Sequence, residues 1–159
     1  MSTTSPADLG PREALARYRR AMLDKSADDL AALYAVDAVH EFPFLFPGMP
    51  ARYHGREEVR AGYKAGWGAS PAQPQPVREV VVHESTDPEV ITVEQIVTGT
   101  IATIGGSFEF PGVLVMRVRN GLIVHVRDYM DSLGVAHAMG RLPAVTAMLS
   151  GQQPGSSNA

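Results

Sequence analysis

Between Arg78 and Met130 the chain runs through four apolar-rich segments with almost nothing between them. They read REVVVHES, EVITVEQIVTGTIAT, GSFEFPGVLVMRVR and LIVHVRDYM, and turn residues part them at Thr86-Asp87-Pro88, Ile104-Gly105-Gly106 and Asn120-Gly121. Runs rich in Val, Ile and Thr, broken by such turns, predict strands, and Asn-Gly is a strong hairpin signal. Residues 78–130 are therefore predicted to fold as an antiparallel meander. Any fold for this chain must be built around that sheet.

The residues before it follow a helical period. Pro11 suits a first helical turn and Glu13 its dipole, while Leu15, Tyr18, Met22 and Leu23 fall on one stripe. Ser26 is a candidate N-cap with Asp29 three residues on, and Leu30, Leu33 and Tyr34 supply an apolar face. Helix is predicted over 12–36. Ala38 to Phe44 reads as a short strand whose Pro43 marks an edge or an end. The loop FPGMPARYHG leads to a helix over 56–67, GASPAQPQP reads as loop, and SLGVAHAMG closes the domain as a short helix.

Helices that come first and strands that come later predict an α+β fold: a curved antiparallel sheet forming a cone, with the N-terminal helices on its concave face. The open end of such a cone is the natural ligand site. The chain has 159 residues, 45% of them hydrophobic and 19% charged, which suits one soluble domain over 11–149. Residues 1–10 and 150–159 are rich in Ser, Gly and Pro and read as disordered tails. A net charge of -3 gives no electrostatic reason to expect a nucleic acid partner. No apolar run approaches the roughly 20 residues of a membrane span, and cytoplasmic location is the default. With no cysteine, thiolate chemistry is excluded, and the histidines show no metal-ligand spacing, so no metal and no cofactor are expected.

The element order, with G-R-E-E-V at 55–59 and V-R-D-Y-M-D at 126–131, resembles the SnoaL-like and ketosteroid isomerase-like proteins of the nuclear transport factor two superfamily. The resemblance spans about residues 11 to 148. It implies a cone-shaped α+β fold, and the cone hosts isomerases, cyclases, hydrolases and plain binding modules. The stretch from Tyr18 to Pro43 aligns without a gap on ketosteroid isomerases. Tyr18 then falls on their oxyanion-binding tyrosine and Phe42 on their general-base aspartate. A benzyl group takes no proton, so isomerisation by that route is not expected.

V-R-D-Y-M-D also resembles the W-R-D-Y-F-D of limonene epoxide hydrolase, with Asp128 at a catalytic aspartate. Gln95 and Val97 replace that enzyme's arginine and second aspartate, while His40 and Phe42 replace its water-holding tyrosine and asparagine. In the phenazine-biosynthesis cone proteins the acid matching Asp128 is a glutamate thought to donate a proton. SnoaL-type polyketide cyclases likewise use a carboxylate from the late sheet.

Strand alternation places Val124, Val126 and Asp128 on one face and His125, Arg127 and Tyr129 on the other. If the first face lines the cavity, Asp128 is an acid among apolar groups with a raised pKa, suited to moving protons near neutral pH. The alternative is an exposed strand-end carboxylate paired with Arg127. His40 shares a strand face with Phe42 and Phe44 and is either a satisfied core histidine or a partner for Asp128. Tyr18 is either packing with a tethered hydroxyl or a donor to a substrate oxygen. Gln95, between Val93 and Val97, must find a partner in ligand or protein, and Glu94 and Glu41 are read as solvated or paired across strands. Phe44, Phe46, Met49, Tyr63 and Trp67 are core, or the walls of a hydrophobic cavity.

The reading is a cofactor-independent acid/base enzyme, a cyclase or isomerase acting on a hydrophobic, polycyclic or polyketide-like molecule in secondary metabolism. Asp128 would shuttle the proton and His40 assist. Tyr18 and Gln95 would hold an oxygen, and Phe42, Phe44, Tyr63, Trp67, Val97 and Val126 would form the binding wall. Epoxide hydrolysis and a non-catalytic binding or dimerisation module are the alternatives. The outer face of the sheet, with Val80, Val82, Ile91 or their alternates, predicts a homodimer through the sheet.

Overall fold

A computed structural model describes residues 9–44, 48–103 and 105–151. Phe46, Ile104 and most of both predicted tails lie outside the described residues. Leu9, placed in a tail by its sequence, is buried, and the Gly10 carbonyl accepts the first helical hydrogen bond from the Ala14 N–H.

The chain opens with α1 (Pro11–Leu23), whose buried face is Ala14, Leu15, Tyr18 and Ala21. Ser26 caps α2 (Ala27–Ala32) by accepting from the Asp29 N–H at 3.3 Å, as its spacing predicts. Helix does not continue to residue 36. Tyr34 instead begins β1 (Tyr34–Glu41), because the Leu33 carbonyl accepts from the Ile123 N–H and Tyr34 enters register with Ile123. Pairing with a strand far along the sequence overrides the local helical pattern. β1 stops at Glu41 rather than Phe44: Phe42 still donates to the Ala51 carbonyl, and Pro43 has no N–H to carry the ladder on.

The loop that follows holds a strand its Pro/Gly content concealed, β2 (Arg52–His54), paired antiparallel to β1. Then come α3 (Arg56–Ala69), β3 (Ala72–Glu84), β4 (Val90–Ile101), β5 (Gly106–Arg119) and β6 (Leu122–Met130). β3 starts within the Pro/Gln stretch read as loop. It lies at the sheet edge, where Pro74 and Pro76 need no partner on one side. The last turns are α4 (Ser132–Ala138) and α5 (Leu142–Leu149), the latter not foreseen.

The strands run in the order β2-β1-β6-β5-β4-β3, in a curved sheet that does not close. β3 to β6 form the predicted antiparallel meander, and β1 joins β6 in parallel, the one such pair among the described residues. The fold is the predicted α+β class, with helices on the sheet's inner face. There Leu15, Tyr18 and Leu30 pack with Ile91, Val93, Leu114, Met116, Ile123 and Val126. Ile91 is thus core rather than outer face, and Val82 also packs against the core. Val80 is exposed on the outer side as expected. No helix among the described residues is long and apolar enough to cross a membrane.

Candidate active site

Between α1, α3 and the inner face of the sheet lies a cavity of about 580 Å³. That is ample for a fused-ring molecule. Phe42, Trp67, Val97, Phe108, Phe110 and Met139 are among its apolar lining residues. Phe108 and Phe110 stack at 5.0 Å, and Trp67 tilts against Tyr63 at 5.1 Å.

Asp128 borders this cavity from β6, opposite Leu114 in register, and its side chain keeps 19% of its exposure. It is the only carboxylate among the described lining residues. Burial pushes it up to about 7, because the charged form lacks the solvation it has in water. The competing pairing with Arg127 does not form. Arg127 and His125 are on the outer face, where Arg127 Nε donates to Glu41 at 3.0 Å and His125 Nε2 stands 3.2 Å from the same oxygen. Glu94 is likewise paired across strands, 2.7 Å from His83 Nε2.

Behind Asp128 a polar chain crosses the core. His40 is fully buried, its Nε2 4.0 Å from Asp128 Oδ2, too far for a hydrogen bond. Burial, then the charge of His125, pull its pKa down to about 3, so the imidazole is neutral across the ordinary pH range. Its Nδ1 lies 2.8 Å from the Tyr34 hydroxyl and its Nε2 3.3 Å from that of Tyr63. The Tyr63 hydroxyl is 3.4 Å from that of Tyr18. Burial, with the nearby Asp128 charge, raises Tyr18 and Tyr63 far above the usual phenol range, so both remain protonated donors.

Two directions of this chain satisfy the count of protons. If Tyr34 donates to Nδ1, then Nε2 carries the hydrogen and donates to Tyr63. Tyr63 donates to Tyr18, and the Tyr18 proton is left for the cavity. In the reverse direction Tyr18 donates inward and no phenolic proton faces a ligand. The tautomer of His40 and the donor left at Tyr18 are thus linked through one chain, whose far end, Tyr34, does not border the cavity.

Several sequence-predicted residues occupy other places. His40 does not border the cavity; it reaches it only through Asp128 and Tyr63, which do. Val126 is fully buried in the core beneath it and lines nothing. Phe44 is 62% exposed on the outer side, edge-on to Tyr129 at 5.4 Å, because the chain turns away after Phe42. Phe42, Tyr63, Trp67, Val97, Gln95, Tyr18 and Met49 all line the cavity. Sequence reasoning missed Tyr34, taken for helix, and Arg19, whose guanidinium donates to Gln95 Oε1 at 3.2 Å and Glu79 at 2.6 Å. Strand parity carries no signal for Tyr34, since β1 is irregular between Tyr34 and Val39 and Val36, of the same parity, is exposed; nothing marked Arg19.

Removing the Tyr34 hydroxyl should therefore be felt at a distance. Tyr34→Phe leaves a buried imidazole nitrogen without its partner, a cost of about 1–3 kcal/mol in a denaturant melt. An unchanged melt would show that His40 does not depend on it.

A model of the SnoaL-like domain matches residues 15–126. An uncharacterised PhzA/B-like protein of Pseudomonas aeruginosa is 25% identical over 147 residues, covering 90% of this chain and 99% of that protein. The crystal structure of a putative isomerase from Bacillus subtilis superposes with a TM-score of 0.74 at 26% identity, over 82% of this chain and 92% of its own. A ketosteroid isomerase of Mycobacterium sp. shares the fold at TM-score 0.62 and 23% identity, over 79% and 93% of the two chains. The matched domain, the cone and its polar-floored cavity lead to one conclusion: this chain belongs to the SnoaL-like family, with a ketosteroid isomerase-like fold.

Proposed function

We propose that the protein is an acid/base enzyme of cyclase or isomerase type, working without a cofactor on a hydrophobic, polycyclic or polyketide-like molecule in secondary metabolism. One observation carries the reading: Asp128, a lone carboxyl on an apolar cavity wall, is held near the midpoint of its titration at neutral pH. Both of its forms are then populated, which is what a group that takes and returns a proton requires. Tyr18 supplies the donor for an oxygen on which charge develops, and Tyr63 and His40 hold that phenol in place. The hydrolase alternative fares worse: Arg19 beside Gln95 brings a cation to the place of that enzyme's arginine, but Val97 offers no second acid, and Asp128 is the only carboxylate among the described lining residues.

The test is solvent deuterium exchange. In D2O the protein should catalyse exchange at the carbon next to the carbonyl of a bicyclic or tricyclic ketone, read by proton NMR. Tyr18→Phe should slow it by roughly tenfold, the value of one hydrogen bond that strengthens as charge develops. No exchange above buffer across a panel of such ketones that do bind would favour the non-catalytic binding module.

The functional unit in this reading is a homodimer joined through the outer face of the sheet. A shallow groove there is lined by Phe44, Val80, Ile96, Val113 and Tyr129. Around it Arg78 pairs with Glu109, and His83 Nε2 stands 2.7 Å from Glu94. Sedimentation at micromolar concentration should give twice the chain mass; a single species of 17.1 kDa contradicts it.

A further inference from the structure

The cavity has a second polar pole that proton transfer at Asp128 does not use. Arg19 and Gln95 form it, on α1 and the inner face of β4. Gln95 is opposite Gly112, while Asp128 is opposite Leu114 one strand further on. Two strand spacings and two residue rises separate them by about 12 Å between Cα positions. That is the length of a fused-ring molecule lying across the sheet.

Arg19 is incompletely satisfied. Glu79 holds one terminal nitrogen at 2.6 Å and the Gln95 oxygen the other at 3.2 Å. Its Nε is buried and makes no hydrogen bond among the described residues. Gln95, 7% exposed, uses its oxygen on Arg19, and its amide nitrogen has no acceptor among the described residues. Arg19 and Gln95 thus stand side by side on the cavity wall, and the Gln95 amide nitrogen is a donor with no use in the protein.

Glu79 and Asp24 balance two of the three cations at this end, and Lys25 leaves it net positive. Arg19, Arg20 and Lys25 border the cavity from α1 and the turn after it, against the lone carboxyl of Asp128 at the far pole. Asp24 holds Arg20 at 2.6 Å, but Lys25 has no ion-pair partner among the described residues. A cavity so arranged favours an anion at the Arg19 end and an apolar body reaching toward Asp128. A planar fork suits a carboxylate better than a single carbonyl.

We propose that Arg19 and Gln95 recognise a carboxylate on the substrate, so that the molecule is an apolar ring system bearing an acid group remote from the reacting carbon. The inference rests on the cavity being the substrate site. Calorimetric titration with naphthalene-2-carboxylate and its neutral analogue naphthalene-2-carboxamide tests it. The wild-type protein should bind the carboxylate about tenfold or more tightly. Arg19→Gln should bring the two to parity without changing carboxamide affinity, and Arg19→Lys should keep part of the preference. Should Arg19→Gln fail to fold, salt decides: raising it should weaken the carboxylate and leave the carboxamide alone. Equal affinities in the wild type, a preference that survives in folded Arg19→Gln, or an equal response to salt overturns the proposal. If neither probe binds, the cavity is not a ligand site and the functional reading falls with the inference. If only the carboxylate preference is missing, the inference alone falls.

Discussion

Asp128→Asn should lower the rate of solvent exchange on a bound ketone by two orders of magnitude or more, while the affinity for that ketone changes little. The substitution keeps the shape and polarity of the side chain and removes its capacity to carry a proton. A positioned acid/base group contributes about 10²–10⁴-fold, and the whole of that contribution is at stake here. The rest of the rate comes from holding the substrate against the wall and from the Tyr18 donor, which the variant retains. An effect on turnover with unchanged binding marks an interaction made in the transition state alone. A weakened affinity with an unchanged rate would instead make Asp128 a binding group.

The same burial has a thermodynamic signature of opposite sense. Asp128 has an ordinary value of 3.8 and is pushed up to about 7. Between those values the unfolded chain releases a proton that the folded one keeps, so stability falls as pH rises through that window. A rise of that size corresponds to about 4 kcal/mol at the upper end. His40 acts in reverse: its ordinary 6.5 is pulled down to about 3, so the unfolded chain takes up a proton that the folded one refuses. Its contribution is complete above about 6.5 and is lost as pH falls toward 3. Over the shared window the two trends offset each other, and the wild-type stability should vary little.

Each variant then unmasks the other group. Asp128→Asn should melt progressively higher than wild type as pH rises from 4 to 8, by roughly 10 °C at the top of the range. In the active-site reading, loss of activity accompanies a gain in stability at pH 8. His40→Gln should lose its sensitivity to acid and become less stable as pH rises from 4 to 7. Thermal melts across that range decide the matter. A difference between Asp128→Asn and wild type that is constant with pH would mean that Asp128 titrates as an ordinary surface acid.

How much of this was legible in the sequence differs from element to element. The meander was, because its turns are local chemistry. Asn120 and Gly121 take φ of 51° and 76°, the backbone that Asn-Gly favours, and no distant partner is needed to know it. Asp128 was legible for the same reason, since strand alternation alone puts it on the face with Val126. The start of β1 was not. Tyr34 follows directly on a helical stripe, and only Ile123, far along the chain, makes it a strand. β3 was hidden by prolines that an edge position tolerates and an interior one would not. His40 was found, but its burial behind Asp128 and Tyr63 was not, because depth below a cavity floor has no periodic signal. Arg19 reads as one more surface cation on a basic helix. Only the packing of α1 against β4 brings it to Gln95.

The most direct test of the account needs no substrate. Protein labelled with carbon-13 at the aspartate side-chain carboxyls, with Asp128→Asn to identify the resonance, reports the titration of Asp128 itself. The account predicts a midpoint at about 7. A midpoint at about 4, the value of a carboxyl open to water, would contradict it.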